Sequence, residues 1–310
     1  SETEAIRVIV PDMGGSFGGG VYPEEVLIPF AARELGKPVR WLEDRTENLV
    51  NARHSRDLTI DATLVYDDDG TLEALGLNIH QDAGAYNLFG VTLPFNIASH
   101  ARGPYAIENF EAQGFCVLTN KTRNTPVRGA GRPEATFVID RLIDMAAQSL
   151  SIDPAEIRKR NLISSDAMPA DRGMLYRDGV PLVYDSGDYP EQLQKALDLA
   201  GYEDFRNRQL EFRASGRAVG IGISCHVEAT GLGPHEDARV TINGNGKILV
   251  YTGSCAHGQS HETTLAQIAA DELSVSPEDV VIYSRDTDLV PSGVGTFGSR
   301  SAVTAGSVIQ

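Results

Sequence analysis

Residues 58–80 read Leu58-Thr-Ile-Asp-Ala-Thr-Leu-Val-Tyr66, Asp67-Asp-Asp-Gly70, then Leu72-Glu-Ala-Leu-Gly-Leu-Asn-Ile-His80. Apolar and polar positions alternate on both sides of an Asp/Gly turn, the pattern of an antiparallel hairpin with one buried face. On its N-terminal side the sequence predicts a strand at Arg7–Val10, a glycine loop, and a helix from Pro23 to Leu35 ended by Gly36. A further strand is expected near Val39–Leu42. Proline at a helix start and glycine just past its end are ordinary punctuation. Hairpin and helices therefore mix without strict alternation, and the fold class is α+β (mixed α/β).

After a long irregular stretch, Glu134–Leu150 carries apolar residues at helical spacing, and Ser151-Ile-Asp-Pro154 opens another helix through Lys159. A core closes near residue 163. Asp166–Gly187 has the Pro, Gly and Asp content of a surface crossing. Helical pieces at 189–200 and 203–214 follow it. A second set begins with a strand at Ala218–Cys225, then a hairpin of Val240-Thr-Ile and Ile248–Tyr251 around Asn243-Gly-Asn-Gly246, a helix at Thr263–Leu273 and a strand at Val280–Tyr283. The chain stops inside what reads as a new helix. The expected organisation is a first subdomain over 1–165, a linker and helical crossing over 166–216, and the N-terminal part of a second subdomain over 217–310.

At 310 residues, 41% hydrophobic and 23% charged, the composition is that of a folded globular chain. A formal charge of -16 sets a repulsive average field against nucleic acid, and no run of apolar residues is long enough for a membrane segment. A small anion remains compatible with an acidic shell when buried arginines and backbone N–H groups create a local positive site. Cys116, Cys225 and Cys255 lack Cys-x-x-Cys spacing and read as reduced core thiols, neither a disulfide frame nor a zinc site.

Four short segments carry the chemistry. Gly14-Gly15-Ser16-Phe17-Gly18, within the loop Gly14–Gly20, lies between an expected strand and helix, where free N–H groups favour an anion and missing side chains allow close approach. It matches neither Gly-x-Gly-x-x-Gly nor a P-loop, and the alternative is a plain glycine turn with no ligand. Thr296-Phe297-Gly298-Ser299-Arg300-Ser301 combines hydroxyls, a guanidinium and a following helix, and reads either as a phosphate cradle or as a capped helix start. Arg128-Gly129-Ala130-Gly131-Arg132 precedes a helix; its bland reading is a surface loop bridged to carboxylates. His257-Gly258-Gln259-Ser260-His261 is not His-Glu-x-x-His, and its histidines read as polar caps more readily than as metal ligands.

With Trp41-Leu-Glu-Asp-Arg45 and Thr119-Asn120-Lys121, these segments match in order the large, molybdopterin-binding subunit of the xanthine oxidase and aldehyde oxidase family of molybdenum hydroxylases, including carbon monoxide dehydrogenase-like bacterial members. The resemblance covers essentially the whole chain. It implies molybdenum held by a pterin, as molybdopterin cytosine dinucleotide, with no protein ligand to the metal. On that reading Gly15, Ser16, Phe17 and Gly18 lie beside the metal, Phe17 forms part of the pocket wall, and Gly14 also binds the cofactor. Gly258, Gln259 and Ser260 meet the pterin, Ser299, Arg300 and Ser301 take the phosphate region, and Thr296, Phe297 and Gly298 also bind the cofactor.

Arg128 is then implied to touch cofactor and substrate and stabilise developing charge. The implied reaction hydroxylates an aldehyde or N-heterocycle with water-derived oxygen. Electrons leave through an iron–sulfur subunit and an FAD subunit of a cytoplasmic bacterial complex. The family's general-base Glu is expected beyond Gln310, so this chain is expected to be an internal fragment, inactive without the remainder of the large subunit. Gly129 stands where copper-dependent members place a copper-binding cysteine, Ala130 where purine oxidases place a stacking phenylalanine, and Ser260 where Gly-Gln-Gly has its second glycine. The alternative is a non-catalytic or assembly module that kept the cofactor fold and lost the metal site.

Overall fold

The computed structural model describes residues 6–18, 23–87, 92–176, 178–290 and 292–310. Gly19 and Gly20 of the first loop lie outside the described residues. Two compact units emerge: one from residues 1–20 with 229–310, the other from residues 21–228. The first twenty residues therefore group with the C-terminal part of the chain, and residues 217–228 group with the segment before them. These segments find hydrogen-bond partners far along the chain, Val10 N–H on Arg285 C=O and Cys225 N–H on Asp140.

The unit of residues 21–228 begins with α1 (Pro23–Leu35) and α2 (Arg45–Asn51). The α1 bounds are those the punctuation predicts. The strand expected at Val39–Leu42 does not form. Asp44 instead caps α2 through a capping box in which its side chain accepts from Glu47 N–H, while Glu47 accepts from Asp44 N–H. The hairpin forms as β1 (Leu58–Tyr66) and β2 (Leu72–Gly84), paired antiparallel. The stretch read as irregular holds α3 (Thr92–His100) and β3 (Asn109–Leu118), which runs parallel to β2.

Then follow α4 (Arg132–Leu150), α5 (Pro154–Asn161), a short hairpin of β4 (Ala170–Leu175) and β5 (Pro181–Tyr184), α6 (Tyr189–Ala200) and α7 (Tyr202–Ala214). The hairpin replaces part of the linker read at Asp166–Gly187. The core joins the buried face of β2 (Leu75, Leu77, Ile79) to Ile97 of α3 and Ile139 and Ile143 of α4. Each such side chain contributes roughly 1.5–3 kcal/mol on leaving water.

A buried polar knot secures α4. The Arg158 guanidinium, with no exposed side-chain area, donates to Asp140 and Asp144, and Asp140 also accepts from Tyr105 O–H at 2.8 Å and Cys225 N–H at 3.1 Å. Burial, then the neighbouring Asp140 carboxylate, pushes the Tyr105 hydroxyl far above its ordinary value, so it stays a donor. Cys225 N–H thus bonds a side chain, as Val219 C=O does with Gln209. The strand expected at Ala218–Cys225 does not form: it has no ladder partner among the described residues.

The second unit repeats the element order of the first. β6 (Ala238–Ile242) and β7 (Ile248–Thr252) form an antiparallel hairpin, α8 (His261–Leu273) follows, and β8 (Val280–Tyr283) returns parallel to β7 before α9 (Ser301–Ile309). Both series run hairpin, helix, parallel strand, small-residue loop, helix. Val250, Leu265, Ala269, Ala305 and Ile309 form its core. The expected strand Arg7–Val10 reduces to a single bridge, Ile9 with Asp286, flanked by Val10 N–H to Arg285 C=O and Thr287 N–H to Val8 C=O. Among the described residues no helix is long and apolar enough to cross a membrane.

Candidate functional site

In the unit of residues 1–20 and 229–310, three of the four singled-out segments meet at one histidine. His257 Nε2 lies 3.0 Å from Thr296 C=O, a partner that can only accept, so Nε2 carries the proton. In the neutral ring, Nδ1 then accepts from Ser16 O–H at 2.7 Å. Ser16 N–H donates to His257 C=O at 3.2 Å, which ties loop 14–18 by both backbone and side chain. The Gln259 side chain folds back: its Oε1 accepts from His257 N–H at 2.7 Å and its amide nitrogen lies 3.2–3.3 Å from the ring nitrogens.

The two glycine loops touch through backbone. A Cβ added at Gly258, where φ is +109°, would fall 2.8 Å from Gly15 Cα. No side chain fits between them. Phe17 also takes a left-handed backbone, φ 54°, and is largely exposed, as is Phe297. The Thr296 and Ser301 hydroxyls bond each other at 3.2 Å, and Gly298 and Ser299 both have positive φ. Among the described residues the N–H groups of Gly14, Gly15, Phe17 and Gly18, and those of Thr296, Phe297 and Gly298, donate to no protein acceptor.

Arg300 departs from its expected role. Its guanidinium has no exposed area: Nε donates to Leu232 C=O at 2.8 Å, Nη2 to His235 C=O at 2.6 Å, and Nη1 to both Gly295 C=O and the Glu236 carboxylate. The side chain is therefore directed into the protein, with no face left for a phosphate. Sequence reasoning missed Glu236, whose carboxylate also accepts from Val294 N–H and Gly295 N–H, each at 3.2 Å. Ser260 forms the left-handed N-cap of α8 without a side-chain cap bond, and Ser299 is exposed.

In the unit of residues 21–228, Arg128 stands on the loop entering α4. Its side chain is exposed and makes no hydrogen bond or ion pair with the described residues, while its carbonyl accepts from Arg56 at 2.7 Å. Gly129 has φ +94°, and a Cβ there would meet Pro133 Cδ at 2.5 Å. A cysteine is thus excluded without moving the proline that opens α4. Arg132 is buried and donates to His100 Nε2 and to Gly129 C=O. Both helix-entry loops are thus braced by a buried arginine reaching back to a glycine carbonyl of its own loop.

The three cysteines are free and half-buried, not core. Desolvation pushes each thiol up. Among the described residues no cluster of His, Cys, Asp or Glu is arranged to hold a metal ion.

Against known families, residues 1–162 match one molybdopterin cofactor-binding domain model and residues 195–310 match a second. The chain belongs to the molybdopterin cofactor-binding family. It is 37% identical over 310 residues to the gamma subunit of the 6-hydroxypseudooxynicotine dehydrogenase complex of Paenarthrobacter nicotinovorans, covering 98% of this chain and 39% of that protein. It is 34% identical to the carbon monoxide dehydrogenase large chain of Hydrogenophaga pseudoflava, covering 98% of this chain and 40% of that one. Among solved structures, quinoline 2-oxidoreductase from Pseudomonas putida 86 superposes with a TM-score of 0.90 at 35% identity over 99% of this chain and 41% of the other. The chain thus spans about two fifths of the length of these relatives.

The residues present fit a pterin cofactor bearing phosphate. Backbone touches backbone at Gly15 and Gly258 with no side chain between, and seven N–H donors in two loops lack a protein acceptor among the described residues.

Proposed function

We propose that this chain is the cofactor-holding portion of a molybdenum hydroxylase that oxidises a carbon of an N-heterocycle or aldehyde using water-derived oxygen. The observation that carries the reading is the meeting of loops 14–18, 257–260 and 296–301 around His257. Two of these segments, 14–18 and 296–298, present N–H donors that meet no acceptor among the described residues, and Gly15 and Gly258 meet through backbone. When bound, the molybdenum centre supplies two-electron oxidation of the substrate carbon.

The chain's own residues bind and orient. Gly14–Gly18 let the metal end of the cofactor approach, and Gln259 exchanges its bond to His257 for one to the pterin. The N–H groups of Thr296, Phe297 and Gly298, with the hydroxyls of Ser299 and Ser301, take the phosphates; the dinucleotide form with cytosine belongs to this proposal. Arg128, exposed on the loop entering α4, supplies a cation to stabilise negative charge developing on the substrate. Phe17 adds an apolar wall.

Relatives named for nicotine and quinoline favour an N-heterocycle over carbon monoxide. Gly129 supports the same choice: its backbone and its contact with Pro133 leave no place for a copper-binding cysteine. Small residues at 129 and 130 also leave room for a ring beside Arg128. Electrons pass to iron–sulfur and flavin subunits of a cytoplasmic complex. In the native polypeptide, Arg128→Ala is expected to lower kcat about 10- to 1,000-fold with pterin content unchanged, as for loss of one preorganised charge-stabilising group. Unchanged kinetics would remove Arg128 from the mechanism.

A further inference from the structure

We infer that Glu236 and Arg300 are positioning residues for the cofactor's phosphate region: a buried ionic strut that sets the backbone of residues 292–300 without touching the ligand. The inference rests on the cofactor reading above. Glu236 and Arg300 both have no exposed side-chain area and lie 2.8 Å apart. The carboxylate gathers Val294 N–H, Gly295 N–H and Ser254 O–H, and the guanidinium gathers the carbonyls of Leu232, His235 and Gly295. Gly295 is thus gripped from both ends of one residue, its N–H by Glu236 and its C=O by Arg300. The adjoining residues, Thr296 to Gly298, carry the N–H groups without acceptors.

Two glycines open the slot in which the carboxylate sits. A Cβ at Gly253 would come within 2.7 Å of Glu236 Oε1, and one at Gly293 within 2.6 Å. The carboxylate therefore also sets how the end of β7 and the start of the second loop pass each other. Stability alone does not call for this arrangement, since a packed apolar pair often equals a buried ion pair. An apolar pair, however, cannot orient two N–H groups and three carbonyls at once. The charge on Arg300, which reads in the sequence as a phosphate ligand, is spent on Glu236.

The test uses the native polypeptide purified from cells that make the pterin cofactor, following pterin loss by fluorescence during dialysis at 10 °C alongside the thermal midpoint. Variants are Glu236→Gln, Arg300→Lys and, as a control in the same unit's core, Val250→Ala. Glu236→Gln is expected to lose pterin at least tenfold faster than wild type. Arg300→Lys keeps the charge but not the fork, and should fall between them. Val250→Ala lowers the thermal midpoint yet keeps the wild-type rate.

If Glu236→Gln does not fold, the comparison of Arg300→Lys with Val250→Ala decides. Wild-type rates in the Glu236 and Arg300 variants, or rates in all three variants that follow only their thermal midpoints, would overturn the strut while leaving the cofactor reading intact. A wild-type protein without pterin would overturn that reading and the inference with it.

Discussion

Replacing Gly258 by alanine strikes the point where the two glycine loops meet. At φ +109° an L side chain is strained, at a cost of about 1–3 kcal/mol. The new methyl would also lie 2.8 Å from Gly15 Cα and 3.2 Å from Gly15 N, backbone atoms that cannot swing aside, which adds about 1–3 kcal/mol of overpacking. If the loops hold their places, the unit loses about 2–6 kcal/mol. If they part instead, the loss shrinks but the Ser16 N–H to His257 C=O bond breaks and the cofactor surface opens.

Urea unfolding and pterin content, measured together on the native polypeptide, separate the two responses. Gly244→Ala is the control, because a Cβ there meets nothing within 4 Å and its backbone is not left-handed. It should stay within about 0.5 kcal/mol of wild type. A Gly258→Ala protein with wild-type urea midpoint and wild-type pterin content would refute the contact on which the site is built.

Two further outcomes test the scaffold. Arg158→Met leaves the Asp140 carboxylate buried without its main cation and should cost about 3–5 kcal/mol, read by urea unfolding; adding Asp140→Asn should recover part of it by removing the stranded charge. Asp67 is held below the ordinary carboxylate value, first by Thr71 N–H, so the stability it adds is present above about pH 4 and is lost as pH falls through its lowered folded value. The gap in urea midpoint between wild type and Asp67→Asn should therefore be wider at pH 6 than at pH 3; a gap that grows with acid would contradict the sign.

Elements with local signals were legible in the sequence. The Asp67–Gly70 turn between alternating runs gave β1 and β2, Pro23 and Gly36 bracketed α1, and α6 and α7 fell within a residue of their expected spans. Strands at Val39–Leu42 and Ala218–Cys225 were expected from β-forming residues but find no ladder partner among the described residues, and Arg7–Val10 finds only a single bridge; pairing is a property no local pattern encodes. The reverse holds for β3: most of its residues are exposed, so it shows little alternation, and only its parallel pairing with β2 makes it a strand.

The site follows the same rule. Small residues at 14–18, 258 and 298 advertise close approach. Glu236, by contrast, is one of 43 acidic residues, and nothing near it in sequence marks it as buried. His257 read as a polar cap because its partners in the other two loops, Ser16 and Thr296, lie 241 and 39 residues away. Arg300 shows the opposite error: a guanidinium beside hydroxyls suggested an anion, while its actual counter-charge sits 64 residues earlier.

The most direct test of the central claim is the molybdenum and pterin content of the native polypeptide carrying this sequence, purified from cells competent to make the cofactor. About one molybdenum and one phosphate-bearing pterin per chain are expected. A folded, purified complex that contains neither would contradict it.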